Sequence, residues 1–401
     1  MTQLASRAYE SRPKILLVTR NFPPLIGGME RLIHHVYLEL LPEFDVWVVG
    51  PQGCQEYLKE GTRVSTFPPS PVLKFLSCCL RETVKAAGTF DPDLFFCGSG
   101  VVAPAAMLAR MRTTSSAVVA YLHGLDVAAR NFAYRLVFIP SIRSANAVIA
   151  NSAFTAALAE GIGMDREKIF KLNPGVTRPE IDAGKAEDFR SRIGAGTRPI
   201  LLYVGRITVR KGLAPFVEHC LPEIVKSIPQ VLLLVIGGEA KQALSYSAGV
   251  EQRVMEIAAA KGVAGNIRML GEISDIGLSD ELSSAYAASQ LLIFPVLDRP
   301  GDVEGFGMVA IEAAAHGLPA VAFGVGGVVD AVSDGVSGNL ISPGDYEKMT
   351  RMILHHLTQS EAYSRQMREN CLEFASRFTW DRFGAHLRKI VWTILGRDER
   401  L

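Results

Sequence analysis

Three features of the 401-residue sequence predict an α/β fold of two doubly wound domains facing a central cleft. Short apolar runs alternate with helical periodicity along almost the whole chain. Within those runs the apolar residues are continuous rather than alternating, the pattern of parallel sheets buried on both faces. The rhythm breaks once, near the middle, and then starts afresh, and a chain of this length is too long for one hydrophobic core.

In the first half the strand-type runs are residues 15–19, 46–49, 94–97, 117–122 and 147–150. They resume at 200–204, 231–236, 267–270, 291–294 and 320–323. Helical segments between them imply right-handed crossovers and parallel sheets. The opening segment 1–13 carries Arg7, Glu10 and Arg12 without an apolar centre, so it reads as a short disordered lead rather than a secretion signal. Between Asn173 and Thr197 the strand pattern stops, and Pro174, Pro179, glycines and charges take its place. The domains are therefore expected at residues 1–178 and 199–379, with a linker at 179–198. Residues 380–401 form an amphipathic helix, with Phe383, Leu387, Ile390, Val391 and Ile394 at helical spacing, expected to pack and to cross back to the first domain. The apolar stretch 306–332 contains Glu312, His316, Pro319, Asp330 and five glycines, which favours a buried helix, turn and strand over a membrane span.

Apolar residues make up 48% and charged residues 21%, and the net charge of +1 gives no general attraction to nucleic acid. The six cysteines (Cys54, Cys78, Cys79, Cys97, Cys220, Cys371) show neither disulfide nor zinc spacing and read as reduced thiols of a cytosolic protein.

Four segments at strand ends carry chemistry. Gly27-Gly28 joins the first strand to a helix, where backbone amides can approach an anion, although a tight turn also explains the pair. His123-Gly124 closes the run 117–122, at the strand end where ligands bind, or where a histidine is held by its neighbours. Gly205-Arg206-Ile207-Thr208-Val209-Arg210-Lys211-Gly212 follows the first strand of the second domain. Arg206 offers a planar fork and Lys211 a point charge, both suited to a diphosphate. The segment 301–313 is the strongest signal: Gly305 and Gly307 open a helix that runs to His316 and stops before Gly317 and Pro319. Amides of Gly307, Met308 and Val309 in its first turn can hold phosphate. Glu304 precedes the helix and Glu312 lies inside it, so the two carboxylates address opposite ends of one ligand. Glu312 sits among Ile311, Ala313, Ala314 and Ala315, and an acid there needs a partner. The pairs His34-His35 and His355-His356 are expected on helix surfaces, and no metal cluster is evident.

Taken together, these residues resemble the family 4 retaining glycosyltransferases, whose GT-B fold has two Rossmann-like domains. The resemblance runs from Ile15 to about Trp380. Beside the Gly-Gly loop, the His-Gly turn, the Gly-Arg-x-x-x-x-Lys-Gly segment and the spacing of Glu304 and Glu312, it includes Gly237-Gly238, the loop after Gly271 and the Gly326-Gly327 turn. Asp302-Val303-Glu304-Gly305 is similar to the wording in phosphatidylinositol mannosyltransferases and bacterial surface-polysaccharide enzymes. The resemblance implies catalytic roles for Glu304, His123, Arg206 and Lys211. It implies donor binding by Gly27, Gly28, Gly238, Glu272, Gly305, Phe306, Gly307, Met308, Val309 and Glu312. His123 and Glu304 would meet the transferred sugar, Arg206 and Lys211 the diphosphate, Glu312 the ribose, and the loops 237–239 and 271–274 the base. It further implies no metal and no cofactor, the donor being a co-substrate: a GDP-sugar first, a UDP-sugar second, with mannose the favoured hexose. The acceptor would be a glycolipid or polysaccharide. A small soluble acceptor, donor hydrolysis or epimerisation, and a non-catalytic binding protein of the same fold are the other readings. Gly175-Val176-Thr177 departs from the family's Gly-Val-Asp at that place. The expected location is the cytoplasm, with peripheral contact at the inner membrane face through residues 72–85, where Val72, Lys74, Leu80, Arg81 and Lys85 form an apolar and basic helix; an ordinary packed helix is the other reading.

Overall fold

The computed structural model describes residues 12–180, 182–239, 249–273 and 280–397. Most of the N-terminal lead and Ser274 of the expected base-flanking loop lie outside the described residues. The first sheet contains β1 (Lys14–Val18), β2 (Asp45–Pro51), β3 (Arg63–Phe67), β4 (Leu94–Cys97), β5 (Ala117–Leu122), β6 (Ala147–Ala150) and β7 (Ile169–Lys171), in the order β3-β2-β1-β4-β5-β6-β7. The second contains β8 (Ile200–Val204), β9 (Leu232–Ile236), β10 (Ile267–Gly271), β11 (Leu291–Phe294), β12 (Ala320–Phe323) and β13 (Gly338–Ile341), in the order β10-β9-β8-β11-β12-β13. Every ladder in both sheets is parallel.

The central strands are continuous apolar runs because helices cover both faces: β4, β8, β9 and β11 are buried at every residue. The edge strands β3, β7 and β13 escape the sequence pattern. Each is short and half exposed, so little selects for an unbroken apolar run there. In each sheet the strand order reverses once beside the first strand, between β1 and β4 and again between β8 and β11. Loops at the carboxyl ends of those strands flank the crevice where doubly wound sheets bind ligands. The Gly27-Gly28 turn follows β1, the Arg206–Lys211 loop follows β8, and the Glu304 loop follows β11.

Residues 179–198 are not an open linker. The helix Ala183–Arg192 lies there, capped by Asp182, whose carboxylate accepts from the amides of Gly184 and Lys185. Phe189, Ile193 and Ala195 join the second domain's core. Proline, glycine and dense charge hid a short amphipathic helix whose apolar face is only a few residues. The last helix, Trp380–Ile394, follows the second domain but packs in the core of the first through Phe383, Leu387, Ile390 and Val391. Arg388 pairs with Glu39 (2.8 Å) and Glu43 (3.1 Å), and the Trp392 indole donates to Glu43.

Candidate functional site

The β8 loop ends in a 3-10 turn, Val209–Lys211, closed by Gly212 at φ +72°. A side chain at Gly212 would overlap the carbonyl of Pro295, so the glycine lets this loop lie against the one leaving β11. The turn buries both Arg210 and Lys211. Lys211 Nζ is 2.8 Å from Glu304 Oε2, and Arg210 Nη1 donates to the same oxygen while its Nε meets Asp302 at 3.0 Å. Burial pushes the Glu304 carboxyl up, but Lys211 and Arg210 more than offset that and hold it at about 2. Lys211 is drawn below its ordinary value by burial, with Glu304 opposing and Arg210 adding to the fall. Burial also pulls on Arg210, yet Glu304 and Asp302 leave it raised. Glu304 is thus ionised over the whole physiological range, and it can accept hydrogen bonds but not give a proton.

Arg210 joins the candidate site through Glu304 and Asp302, and sequence reading passed it over. It stood beside Lys211 in the quoted segment, but nothing local distinguishes a buried arginine from a solvated one. Arg206, at the start of the same loop, is exposed at the cleft. The amide of Ile207 donates to Gly238 (2.9 Å), which ties this loop to the one after β9, and Gly238 in turn lies against Glu272 after β10.

Across the cleft, the helix Gly28–Leu40 begins at Gly27 and the helix Met308–Ala315 begins at Gly307. A Cβ on Gly28 would stand 3.1 Å from Met308 Sδ, so the two helix starts adjoin each other. In the second helix the amides of Met308 and Val309 precede the first intrahelical bond, Ala310 to Gly307 (2.9 Å). Two positive helix ends at one place suit an anion. The Phe306 side chain lies in the core, so only its backbone is available to a ligand.

His123 is buried at the end of β5. Its Nε2 lies 2.8 Å from the carbonyl of Gly98, which can only accept, so Nε2 carries a proton. Among the described residues its buried Nδ1 has no hydrogen-bond partner. The backbone amide of His123 donates to Asp126 (2.8 Å), whose carboxyl is raised by burial, with His123 opposing. The second-domain loop comes directly onto this strand end: Gly305 abuts the carbonyl of His123, and Gly124 abuts Gly305 and Val303. His123 and Glu304, 181 residues apart in sequence numbering, therefore border one space.

Glu312 is almost fully buried, and its partner comes from the other domain. Arg31 of the helix Gly28–Leu40 pairs with Oε1, and the Tyr286 hydroxyl donates to Oε2 at 3.0 Å. Beside this pair is a small pocket between Arg31, His35, Thr177, Met308, Glu312 and Trp380. It reaches Glu312 but not Glu304, and it contains the threonine that stands where the family has aspartate.

His34 and His35 are half-buried rather than open to solvent. The His35 ring stacks on Trp380 at 3.6 Å and 4°, and burial lowers it to about 4. His34 Nε2 meets the Tyr57 carbonyl at 3.0 Å. The last helix covers the side of Gly28–Leu40 that local sequence leaves open. His355 is exposed, but His356 is half-buried against Asn339 (2.7 Å), and burial lowers it to about 4. The helix Val72–Phe90 buries Phe75, Cys79, Thr83, Ala86, Ala87 and Phe90, and exposes its tip at Val72 and Leu73. Among the described residues no group of three His, Cys, Asp or Glu could hold a metal ion, and no helix is long and apolar enough to cross a membrane.

Comparison with known proteins agrees with this geometry. Residues 26–178 match the family described as Glycosyltransferase Family 4, and residues 198–359 match Glycosyl transferases group 1. The GDP-mannose-dependent alpha-(1-6)-phosphatidylinositol monomannoside mannosyltransferase of Mycolicibacterium smegmatis is 26% identical, over 84% of this chain and 88% of the relative. A D-inositol 3-phosphate glycosyltransferase of Streptomyces bingchenggensis is 31% identical, over 61% of this chain and 52% of that protein. The Anabaena protein HepE, solved with UDP-glucose, superposes with a TM-score of 0.77 at 19% identity, covering 95% of this chain and 99% of that one. Two Rossmann-like sheets, family matches on both halves and a charged cleft between them have one common reading: the chain is an enzyme of the family 4 glycosyltransferases, with the GT-B fold.

Proposed function

We propose that the enzyme transfers a hexose, mannose before others, with retention of configuration from a nucleoside-diphosphate sugar to a glycolipid or polysaccharide acceptor. The observation that carries this reading is the ionised Glu304, held by Arg210 and Lys211 near two adjoining helix N-termini. A carboxylate fixed in this way accepts bonds from sugar hydroxyls. The amides of Met308 and Val309, with Arg206 and Lys211, would take up the charge that grows on the departing diphosphate. The orphaned Nδ1 of His123 offers a further acceptor to the sugar, across from Glu304. Glu312 would meet the ribose, with Arg31 giving way or turning to the diphosphate. A GDP-sugar is favoured over a UDP-sugar because the relative with the fuller coverage is named as GDP-mannose-dependent. In this reading fixed cations replace a metal ion, so chelation should leave the rate unchanged. The enzyme would work in the cytoplasm against the inner face of the membrane, where a lipid-linked acceptor is presented.

Calorimetry with free GDP and UDP tests the diphosphate site. Arg206→Ala and Lys211→Ala should each weaken nucleotide affinity by about tenfold, the usual worth of one charge-assisted hydrogen bond. Unchanged affinity in both variants would remove these residues from the site. Turnover of GDP-mannose without any acceptor, at the full rate, would make the enzyme a hydrolase instead.

A further inference from the structure

Glu312 lies in a helix of alanines and aliphatic side chains, so its carboxylate depends on partners brought from elsewhere. Its own domain supplies one. The Tyr286 hydroxyl donates to Oε2 at 3.0 Å, and the buried Tyr286 ring stacks on His316 with the centroids 4.8 Å apart. His316 is fixed in turn. Its Nδ1 lies 2.7 Å from the Glu312 carbonyl, which can only accept, so Nδ1 carries the proton and Nε2 accepts from the Ser283 hydroxyl at 2.8 Å. Oε2 is thus tied to a buried cluster of the second domain, and its position does not depend on the first.

Oε1 is served differently. Its partner Arg31 arrives from the first domain, in the first turn of the helix Gly28–Leu40. The Arg31 side chain is 15% exposed and that of Glu312 2%, so the pair is largely withdrawn from water. Parting it without a substitute donor would leave a buried charge alone. A ribose brings two hydroxyl donors and is such a substitute. The small pocket beside the pair gives the guanidinium a direction in which to yield. It is lined by Thr177 and by the stacked rings of His35 and Trp380, against which a planar cation can lie. Among the described residues Glu312 is the acid that lines this pocket, because threonine stands at the place where the family has aspartate.

We infer that Arg31 is a built-in competitor of the donor's ribose. It holds Oε1 of Glu312 before a nucleotide binds, the ribose hydroxyls displace it toward Thr177 and Trp380, and it returns as the nucleoside diphosphate leaves. The inference rests on the reading of Glu312 as the ribose ligand and adds a residue of the other domain that contends for the same oxygen. The nucleotide is then held less tightly than the same contacts would hold it with Oε1 open, which hastens departure of the product. The residue at position 177 sets the strength of the competition. A carboxylate there would draw the guanidinium away from Glu312.

Calorimetry on the full chain with GDP and with its dideoxyribose analogue, which lacks both ribose hydroxyls, tests this; the uridine pair is run alongside. Arg31→Ala should tighten GDP by about tenfold, the usual worth of one hydrogen bond to a charged group. Affinity for the analogue should stay at the parent's value, which also shows that the variant is folded. Thr177→Asp keeps the arginine and offers it a second carboxylate in the same pocket, so it should tighten GDP in the same sense without leaving Glu312 unpaired. If folded Arg31→Ala binds GDP no more tightly than the parent, the inference is overturned, and weaker binding would make Arg31 a ligand of the diphosphate instead. If that variant does not fold, Thr177→Asp decides by the same criterion. Equal tightening of GDP and the analogue also overturns it, because the gain would not come from the ribose. Where the parent prefers GDP to the analogue and the variants do so to the same degree, the ribose reading of Glu312 stands and only the competition falls. Where parent and variants alike show no preference, the ribose reading falls with it.

Discussion

Glu304→Ala should lower sugar transfer by about a thousandfold, the upper range for removing one preorganised electrostatic group from an active site. Alanine removes the acceptor for sugar hydroxyls and also leaves Lys211 and Arg210 buried with like charge facing like. Breaking a buried pair from one side typically costs about 3 kcal/mol or more, so a lower midpoint in urea at unchanged slope should accompany the lost activity. Glu304→Gln keeps the shape and one acceptor oxygen but not the charge, and should fall between alanine and wild type in both measurements. Turnover of Glu304→Ala within a few-fold of wild type would remove this carboxylate from the reaction.

The same pair fixes a pH dependence. Glu304 lies at about 2 in the folded chain against an ordinary value of 4.5. A group whose folded value is depressed contributes stability above its unfolded value and loses it as pH falls through the folded one. A shift of this size corresponds to about 3 kcal/mol, present at neutral pH and lost between about 4.5 and about 2. Activity should accordingly show no decline attributable to Glu304 as pH falls from neutral toward the ordinary carboxylate range.

Gly305→Ala should cost roughly a hundredfold in transfer, through geometry alone. The added methyl would overlap the His123 carbonyl and approach Asn151 Nδ2 to 2.9 Å. The loop has no room to retreat, because Gly327 stands directly behind Gly305 and its amide donates to the Glu304 carbonyl at 2.9 Å. The two domains must therefore part at this point. Nucleotide affinity, carried mainly by the second domain, should stay within a few-fold of wild type, and small-angle scattering should report a larger radius of gyration. Wild-type turnover would show that catalysis does not need this approach of the domains.

The four motifs were legible because each uses a local rule: glycine where backbone must approach closely, a helix start after a strand end, and acids or cations at fixed positions around it. Glu312 could even be recognised as an acid in need of a partner, from the alanines and isoleucine beside it. Which partner was not legible. Edge strands β3, β7 and β13 were missed because half-exposed strands keep no apolar run, and the helix Ala183–Arg192 because its apolar face is short. His34 and His35 were misplaced because their cover, the Tyr57 segment for one and Trp380 of the last helix for the other, leaves no trace in the local pattern.

The sequence by itself determined the two sheets, the strand ends that carry the site and the residue types available there, since burial on both faces and helix initiation act over a few neighbouring residues. Only the tertiary structure decided the pairings. Arg210 reaches Glu304 across 94 residues, and Arg31 reaches Glu312 across 281. The first pair depends on β8 and β11 lying side by side in one sheet, the second on how the two sheets are set against each other, and neither is written in any local window. Side-chain charge can be read from a sequence; the charge that will stand opposite it depends on strand order and on how the domains meet.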